Sequence, residues 1–266
     1  MTYFKNRVAV ITGAGSGIGK CLALQLAEQG ASLALSDINE SSLAQLASEL
    51  PKDCKVKTYL LDAGSKEAVF QHAQDVKRDF SQVDYVFNNA GATVIGTFEH
   101  LDIDEIEWQL QINLWGVIYG CKAFLPIMRE QNSGCLINIS SVFGFVAFPN
   151  QSAYNMSKFA VRALTECLWQ ELDGCNIRAV SVHPGGIRTN IEKAGRRSRN
   201  AGPTEAVFQE KANTMLVTPP EECAADILRG LKQGKRRILT GKYSRVLYYL
   251  SRLLPNHYFR VTAALG

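Results

Sequence analysis

The amino-acid sequence predicts an α/β protein with a doubly wound sheet of about seven parallel strands flanked by helices. Short runs rich in valine, isoleucine and leucine alternate with helical segments of about 10–20 residues, the pattern of repeated strand–helix–strand units. The 266 residues are 46% hydrophobic and 20% charged, which is ordinary for a globular protein. No linker rich in proline or serine divides them, so we expect one domain over residues 1–266.

The first half of the chain supplies three strand–helix pairs and a fourth strand. Each strand is a short β-branched run, and each helix has apolar residues at helical spacing. Asn39 and Ser65 stand where a second and a third helix begin, and their side chains can cap free backbone N–H groups there. The predicted elements are strand 7–12 and a helix through Ile18 and Leu26, strand 32–37 and helix 39–50, strand 55–62 and helix 65–80, and strand 83–89.

The second half continues the alternation with longer helices. Residues 186–218 are the least regular segment and contain Gly195, Gly202 and Pro203. A long irregular segment in a compact domain is usually functional or mobile, so we expect a mobile substrate lid over 186–218. The predicted elements around it are helix 103–130, strand 135–140, helix 152–172, strand 177–184, helix 219–233 and strand 236–241.

Charge and composition exclude several classes of function. The formal net charge is +4, and residues 191–266 hold 14 Lys and Arg against 6 Asp and Glu. No dense basic cluster with a reading motif accompanies this excess, so we expect no nucleic acid partner. The seven cysteines are scattered without a C-x-x-C pair, and the four histidines are not at ligand spacing. We therefore expect reduced thiols, a cytoplasmic location and no metal site.

The sequence also lacks the usual signals for export and membrane insertion. No extended apolar run precedes Arg7, so we expect no ordinary secretory signal. No uninterrupted apolar run approaches the roughly 18–20 residues that a spanning helix needs, and a soluble protein is expected.

A glycine-rich loop, TGAGSGIG at residues 12–19, lies between the first strand and the first helix. In a doubly wound fold this place binds a nucleotide, because glycines let the backbone approach phosphate and the helix N-terminus offers free N–H groups. The spacing is neither G-x-G-x-x-G nor a Walker P-loop, and a glycine cluster can also serve a tight turn alone. We predict cofactor contacts from Gly13, Ser16, Gly17, Ile18 and Gly19.

Asp37 ends the second strand, 18 residues after Gly19. A carboxylate at this place can accept hydrogen bonds from both hydroxyls of an adenosine ribose, whereas a 2′-phosphate would meet like charge. Ser16 precedes Gly17, so no basic side chain at that position neutralises such a phosphate. The sequence therefore favours NAD over NADP, although an aspartate here can also serve only to cap the following helix.

The glycine loop and five further motifs, in this order, resemble the short-chain dehydrogenase/reductase family in its single-domain, NAD(P)-dependent branch. The resemblance covers nearly the whole chain. Its specificity lies in the order and separation of the motifs, since Y-x-x-x-K alone occurs by chance. It implies a Rossmann-type fold and an enzyme that interconverts an alcohol and a ketone. The motifs are TGAGSGIG (12–19), NNAG (88–91), Asn113, Ser141 in NISSVFG, YNMSK (154–158) and PGGIRT (184–189).

Tyr154 and Lys158 stand four residues apart on one predicted helix, so their side chains point to the same side. Ketone reduction needs a hydride from one side and a proton for the developing alkoxide. A tyrosine with a pKa of about 10 is a poor acid–base catalyst near neutrality, and a nearby cation lowers that pKa. We interpret Tyr154 as a general acid/base tuned by Lys158, because two surface side chains would leave the other motifs unexplained.

Ser141 follows the fifth predicted strand, at the edge where active groups of open α/β sheets gather. Its hydroxyl can donate to the substrate oxygen, and the family spacing selects it over the adjacent Ser140. The resemblance implies that Asn113 supports a water that links Lys158 to solvent as a proton route. A hydrogen-bonded core asparagine is the alternative for this position. The candidate catalytic residues are Asn113, Ser141, Tyr154 and Lys158.

The resemblance implies further cofactor contacts. Asp62 and Ala63 fall where the family touches the adenine ring, and Ile187 and Thr189 fall where it holds the carboxamide. Lys158 would also reach the nicotinamide ribose. The NNAG motif lines the family's cofactor cleft, although it can mainly stabilise the central sheet instead. The remaining candidate positions are Asn88, Asn89, Ala90, Gly91, Tyr154, Pro184 and Gly185.

The loop VFGFVAFPN (142–150) follows Ser141, and the family places this loop beside the substrate. Together with ATVIG (92–96) it predicts an apolar pocket without Lys or Arg, so we expect an uncharged, hydrophobic alcohol or ketone. The phenylalanines can instead pack the core or a subunit contact, and three arginines of the lid can meet a charged substrate tail. The candidate substrate contacts are Ser141, Phe143, Phe148 and Tyr154, and the three lid arginines are Arg196, Arg197 and Arg199.

The segment 242–266 is an amphipathic extension beyond the shortest family members. Within 242–260, basic residues surround one apolar stripe at helical spacing, formed by Val246, Leu247, Leu250, Leu253 and Leu254. Such a stripe packs more often on its own domain or on a partner subunit than on an anionic membrane, so membrane contact is not favoured.

The family's quaternary structure and function leave alternatives open. Family members form dimers or tetramers through the helices that correspond to 103–130 and 152–172, so a homodimer or homotetramer is expected. One alternative function is an NADP(H)-dependent lipid or steroid carbonyl reductase at a membrane surface. The other is a non-catalytic nucleotide-sensing protein on the same fold.

Overall fold

The computed structural model describes residues 3–189, 191 and 195–265 of the chain. Nine strands occur within these ranges. They are β1 (Val8–Thr12), β2 (Ser32–Asp37), β3 (Val56–Leu60), β4 (Tyr85–Asn88), β5 (Val94–Ile95), β6 (Gly134–Ile139), β7 (Ile177–Pro184), β8 (Arg196–Arg197) and β9 (Arg237–Thr240).

Ten α-helices alternate with the strands within the same described ranges. They are α1 (Gly17–Glu28), α2 (Glu40–Glu49), α3 (Lys66–Phe80), α4 (Ile103–Leu110), α5 (Gly116–Glu130), α6 (Ser152–Glu171), α7 (Pro203–Met215), α8 (Pro220–Lys232), α9 (Ser244–Leu253) and α10 (Tyr258–Leu265).

Seven parallel strands form one sheet in the order β3-β2-β1-β4-β6-β7-β9, and β5 pairs separately with β8. The order runs outward in one direction from β1 to β3 and in the other from β4 to β9. The crevice between β1 and β4 is therefore the switch point at which a doubly wound sheet binds its ligand. The predicted fold class, a Rossmann-type α/β sheet of about seven parallel strands, is confirmed.

Both faces of the sheet are buried because successive side chains of a strand point in opposite directions. In β1, Ile11 packs into a cluster with α1 and α8, whereas Val10 packs into a second cluster with α3, α5 and α6. The predicted caps are confirmed as well. Asn39 Oδ1 accepts from Ser42 N at 3.0 Å, and Ser65 Oγ accepts from Ala68 N at 3.3 Å.

Three segments differ from the sequence-based expectation. The predicted helix 103–130 is interrupted by a π-helical turn at Gln111–Trp115, which the apolar periodicity did not reveal. The segment 186–218, expected to be irregular, contains α7; Asn190 and residues 192–194 lie outside the described residues. The C-terminal segment 242–260 is divided between α9 and α10, with Pro255 in the break, and the predicted stripe lies on α9 and its C-terminal cap residue Leu254. No helix in the described part of the chain is long and apolar enough to cross a membrane.

Candidate active site

One cleft of about 530 Å³ opens at the carboxyl ends of the strands, across the switch point of the sheet. It joins the glycine loop at one end to the loops after β6 and before α6 at the other. Most of the predicted cofactor positions lie on its wall. They are Gly13, Ser16, Gly17, Ile18, Asp37, Asp62, Ala63, Asn89, Ala90, Gly91, Tyr154, Lys158, Pro184, Ile187 and Thr189.

The glycine loop needs its glycines at particular atoms. Gly13 and Gly17 have φ angles of 65° and 52°, in the left-handed region that favours glycine. A Cβ on Gly19 would lie 2.2 Å from the Gly13 carbonyl oxygen, so α1 could not start this close to β1 with any other residue. The loop therefore brings the first backbone N–H groups of α1 to the cleft, where they can bind a phosphate.

Hydrogen bonds of Asn89 and Thr12 fix the glycine loop in position. Asn89 Nδ2 donates to the carbonyl oxygens of Thr12 at 2.9 Å and Gly13 at 3.1 Å. Thr12 Oγ1 accepts in turn from the backbone N–H groups of Asn89 and Ala90, each at 3.0 Å. These reciprocal bonds join the end of β1 to the end of β4 and fix the phosphate end of the cleft before any ligand arrives.

Asp37 reaches back across the loop from the end of β2. Its Oδ2 accepts from Gly15 N at 2.8 Å, and its Oδ1 accepts from Asn39 N at 2.9 Å. The carboxylate thus supports the start of α2, as the capping alternative expected, and also lines the cleft. Each carboxylate oxygen has more than one lone pair, so Asp37 can accept further hydrogen bonds from a ribose while keeping both contacts.

Asn88 and its neighbour Asn89 face opposite sides of the sheet and make different contacts. It is buried in the core, where its Nδ2 donates to Asn138 Oδ1 at 2.8 Å, and Asn138 Nδ2 donates to Thr165 Oγ1 at 3.0 Å. Asn88 does not line the cleft, so the sheet-stabilising alternative applies to this residue. Strand alternation explains the difference, since consecutive side chains of a strand face opposite sides.

Lys158 is buried on α6, with 3% of its surface exposed. Its Nζ donates to the carbonyl oxygen of Ile139 at 3.0 Å and lies 5.4 Å from the centre of the Tyr154 ring. Burial lowers the pKa of this ammonium from its ordinary 10.5 to about 8. An ammonium group that can lose its charge near pH 8 therefore lies beside the phenol of Tyr154, which lines the cleft.

The two serines after β6 have different partners. Ser140 Oγ donates to the backbone carbonyl of Lys158 at 2.8 Å and so ties β6 to α6. Ser141 Oγ accepts from Phe143 N at 3.1 Å, which leaves its hydroxyl hydrogen available to donate into the cleft. Phe143 also contacts the Tyr154 ring edge to face, with ring centres 5.6 Å apart.

His183, at the end of β7, supports the Ser141 segment and was not identified from the sequence. Its Nδ1 lies 3.0 Å from the Ser141 carbonyl oxygen, and its Nε2 lies 2.8 Å from Ser181 Oγ. Burial lowers the pKa of His183 to about 3, so the ring is neutral near pH 7. Nδ1–H must then donate to the Ser141 carbonyl while Nε2 accepts from Ser181. A lone histidine in a strand gave no signal of this contact.

Asn113 lies in the π-helical turn and is fully buried. Its Oδ1 accepts from Ala92 N at 2.8 Å, and its Nδ2 donates to Ala92 O at 2.8 Å. The amide thereby fixes the chain that follows Gly91 beside the cleft. Single π-turns inside helices occur frequently at functional sites. The bonds to Ala92 also fit the alternative of a hydrogen-bonded core asparagine, so the functional role of Asn113 stays a prediction.

Five predicted site residues lie behind the wall of the cleft. Asn88 is buried in the core, and Asn113 and Gly19 support the wall, as described above. Gly185 donates its N–H to the carbonyl of Thr240 at 2.9 Å, which ties the segment after β7 to β9. Phe148 stacks on Phe143 with ring centres 4.6 Å apart and packs with the C-terminal helices.

The end of the cleft farthest from the glycine loop includes residues of the lid, 186–218. From the sequence, arginines of the lid were expected to contact a substrate only if that substrate has a charged tail. Arg196 lies over the ring of Trp108, with its guanidinium carbon 3.8 Å from the ring centre, and both line the cleft. Leu216 and Ile112 add apolar surface there. Trp108 was assigned only as a helix residue, because nothing local to it indicated a cleft.

One buried carboxylate helps to attach the lid to the body, in addition to the pairing of β8 with β5. Glu205, near the start of α7, accepts from Thr97 N at 3.0 Å, from Gly202 N at 2.9 Å and from His100 Nδ1 at 2.7 Å. The bond from Thr97 N contributes most to lowering the pKa of Glu205 to about 2, so this side chain is ionised near neutrality. These bonds hold α7 against the loop after β5.

Comparisons with protein families, with individual proteins and with solved structures agree on the same kind of protein, a dehydrogenase or other oxidoreductase. The family described as short chain dehydrogenase matches residues 7–200. SadH of Mycobacterium tuberculosis, which is named as an oxidoreductase, is 40% identical over 274 aligned residues that cover 99% of this chain and 96% of SadH.

Solved structures also superpose closely on the chain. A short-chain dehydrogenase/reductase from Burkholderia phymatum in complex with NAD has a TM-score of 0.89 at 27% identity, covering 95% of both chains. An alcohol dehydrogenase from the archaeon Thermococcus sibiricus, complexed with 5-hydroxy-NADP, has a TM-score of 0.74 at 28% identity. It covers 86% of this chain and 91% of its own.

Proposed function

The chain belongs to the short-chain dehydrogenase family and is an oxidoreductase that acts on CH–OH groups; we propose that it interconverts a hydrophobic secondary alcohol and its ketone with NAD(H). The observation that carries this proposal is the buried Lys158 ammonium, 5.4 Å from the ring of Tyr154 in the wall of the cleft. A buried cation next to a phenol stabilises the phenolate, which matches the tyrosine to proton transfer near neutral pH.

Four side chains have separate roles in the proposed reaction. A bound nicotinamide dinucleotide supplies the hydride for reduction and accepts it in oxidation. Ser141 donates its hydroxyl hydrogen to the substrate oxygen and holds it beside the Tyr154 phenol. Tyr154 gives a proton to that oxygen in reduction and removes it in oxidation, while Lys158 stabilises the phenolate. Asn113 fixes Ala92 beside the cleft and supports the water through which Lys158 exchanges protons with solvent.

The preference for NAD rests on Asp37. Its carboxylate lines the cleft and is held in place by Gly15 N and Asn39 N, so a 2′-phosphate would meet a fixed negative charge. The Burkholderia phymatum structure holds NAD and the Thermococcus sibiricus structure holds an NADP analogue, so family membership alone favours neither. The remaining positions fit a dinucleotide, because the glycine loop offers backbone N–H groups without side chains in the way.

The proposed substrate is uncharged and apolar around the reacting carbon. Phe143, Val142 and Ile112 line the cleft with apolar surface. The alternative, a substrate with a charged tail, is supported by Arg196 at the far end. Turnover of a neutral ketone compared with the same ketone bearing a terminal carboxylate would distinguish the two.

The proposed assembly is a homodimer or homotetramer in the cytoplasm. Large apolar side chains are exposed on the segments predicted to form subunit contacts, namely Trp115 beside α5, and Met156 and Phe159 on α6. Their exposure in the single chain supports burial against a second copy. Sedimentation velocity of the wild type and of Phe159→Asp tests this, since an unchanged sedimentation coefficient would contradict the contact.

Tyr154→Phe tests the reaction directly. Removing the phenol hydroxyl should lower kcat about 1,000-fold or more, because the general acid/base is lost, while NADH affinity stays within about two-fold. The matched control is Tyr249→Phe on the exposed side of α9, which should leave both unchanged. Substantial activity in Tyr154→Phe would refute the proton-transfer role. NADH binding by the wild type without turnover of a broad carbonyl panel would favour a nucleotide sensor instead.

A further inference from the structure

The C-terminal helices leave a patch of large apolar side chains exposed. Leu253 is 77% exposed, Val246 60%, Tyr249 59% and Phe259 54%. Val246, Tyr249 and Leu253 lie three and four residues apart and so share one side of α9. Exposed apolar groups at this density mark an interaction surface and not ordinary scatter. We call Val246, Tyr249, Leu253, Leu254 and Phe259 the C-terminal patch.

Packing on the chain's own domain accounts for the adjacent side of α9 and not for this patch. Leu247 is buried, and Leu250 packs in the same cluster as Phe143 and Phe148. The stripe predicted from the sequence is therefore divided, with Leu247 and Leu250 turned inward and Val246, Leu253 and Leu254 exposed. The expected packing on the chain's own domain is found for Leu247 and Leu250, and the expected packing on a partner subunit is untested for the other three residues.

The segment that carries the patch has charges of one sign. Residues 242–266 contain no Asp or Glu and four basic residues, Lys242, Arg245, Arg252 and Arg260. None of the four forms an ion pair with another of the residues that the structure describes. The guanidinium carbon of Arg252 lies 4.7 Å from the centre of the Tyr248 ring, and that of Arg260 lies 5.8 Å from the centre of the Phe259 ring, so both charged groups lie against aromatic surface.

We propose that the C-terminal patch docks the protein on an anionic lipid bilayer. Aromatic and aliphatic side chains flanked by arginines suit the interface between acyl chains and anionic headgroups. A second copy of the chain is the less suitable occupant, because the segment 242–266 of that copy would bring further basic residues and no Asp or Glu to pair with them. Glu222 and Asp226 share a groove with Lys242 and Arg245, so the outward charge is carried mainly by Arg252 and Arg260.

The docking surface adjoins the loop that borders the cleft. Tyr258 Oη, on α10, accepts from the backbone N–H of Ala147 at 3.2 Å, and α9 packs through Leu247 and Leu250 against Phe143 and Phe148. A hydrophobic substrate dissolved in the bilayer would therefore approach the cleft beside the loop after Ser141. This delivery rests on the proposed function, whereas binding to a bilayer does not.

Co-sedimentation of the purified full chain with vesicles tests the docking. Vesicles of phosphatidylcholine alone are compared with vesicles that also contain phosphatidylglycerol, at low and high salt. We expect at least about ten-fold tighter binding to the anionic vesicles, and weaker binding as salt rises. Leu253→Asp and Arg252→Glu should each lower this affinity, the first on both kinds of vesicle and the second on anionic vesicles only.

Leu60→Asp is the matched control, because Leu60 is 66% exposed on β3 and lies outside the patch. It should bind vesicles like the wild type. Absence of binding to anionic vesicles, or an equal loss in Leu60→Asp, would overturn the proposal. So would a smaller sedimentation coefficient of Leu253→Asp in solution without any vesicle binding by the wild type, because the patch would then join copies of the chain. NADH binding, measured in parallel, is expected to be unchanged in all variants.

Discussion

The two ends of the cleft are built on different principles. At the end formed by β1, β2 and β4, the surface is mostly backbone, and its side chains Thr12, Asn89 and Asp37 hold each other or the loop through short hydrogen bonds. At the end near α4 and the lid, the surface is mostly side chains, such as Arg196 over Trp108. Few substitutions are tolerated where the wall of the cleft consists of backbone atoms. Where the wall consists of side chains, substitutions can change which ligands the cleft binds.

Among the substitutions that compare the two ends of the cleft, Gly19→Ala is expected to have the largest effect, because the space for a side chain is smallest there. The added Cβ would lie 2.2 Å from Gly13 O and 2.7 Å from Asn89 Nδ2, so α1 must move away from β1. We expect cofactor affinity to fall about ten-fold or more, with a loss of stability of roughly 1–3 kcal/mol. Calorimetric titration and urea unfolding measure the two effects.

Gly174→Ala serves as the control for Gly19→Ala. Gly174 has a φ of 75° and no atom within 4 Å of the added Cβ, so it separates backbone strain from a clash. It should lose some stability but no cofactor affinity. If both variants bind the cofactor equally well, the close packing of α1 on β1 is not what shapes the phosphate end.

Lys158→Met tests whether the Lys158 ammonium lowers the pKa of Tyr154. The ammonium has a pKa of about 8, so its charge beside Tyr154 is present below that pH and lost above it. Without the charge, the pH at which alcohol oxidation reaches half its maximum should move upward by about 1 to 3 pH units. The pH profile of kcat in the wild type and the variant measures this shift, and an unchanged profile would contradict the tuning of Tyr154.

The same burial predicts a change in the pH dependence of stability. The pKa of Lys158 is about 8 in the folded chain, below its ordinary value of 10.5, so the unfolded chain binds more protons between these values. The contribution of Lys158 to stability should therefore rise as the pH increases from about 8 to 10.5, and Lys158→Met should lack that rise. Urea unfolding of both proteins across this range checks the sign.

Glu205→Gln should have the smallest effect, because it loosens the side-chain end without touching the reacting groups. It replaces the carboxylate that accepts from Thr97 N, Gly202 N and His100. We expect a several-fold higher KM, a nearly unchanged kcat and a stability loss of about 1–3 kcal/mol. Glu210→Gln, exposed on the same helix, is the control and should behave like the wild type. A lower kcat with an unchanged KM would show that α7 does more than hold the lid.

The two ends also differ in how well the sequence predicted them. The glycine loop, Asp37, the caps at Asn39 and Ser65 and the alternation of about seven strands with helices follow from local rules, because each depends on a few consecutive residues. Tyr154 and Lys158 share one face of α6 for the same reason. The lining of the cleft by Asn89 and not Asn88 follows from strand alternation once the end of β4 is known.

The remaining features depend on contacts between distant segments. The π-turn at Gln111–Trp115 has no distinctive apolar period, and α7 has a weak one, so neither was predicted. His183 meets Ser141 only because β6 and β7 are neighbours in the sheet. Arg196 reaches Trp108 only because β8 pairs with β5. Such pairings are set by the tertiary structure and leave no mark in the local sequence.

The measurement that most directly tests the proposed NAD-dependent reaction is a titration with NADH and with NADPH, followed by energy transfer from tryptophan to the nicotinamide. Trp108 lines the cleft and provides a donor close to the site. The expected result is NADH binding at least about ten-fold tighter than NADPH binding, with the ratio falling towards one in Asp37→Ala. Tighter binding of NADPH, or a ratio that Asp37→Ala leaves unchanged, would contradict the assignment of Asp37 and of the cofactor.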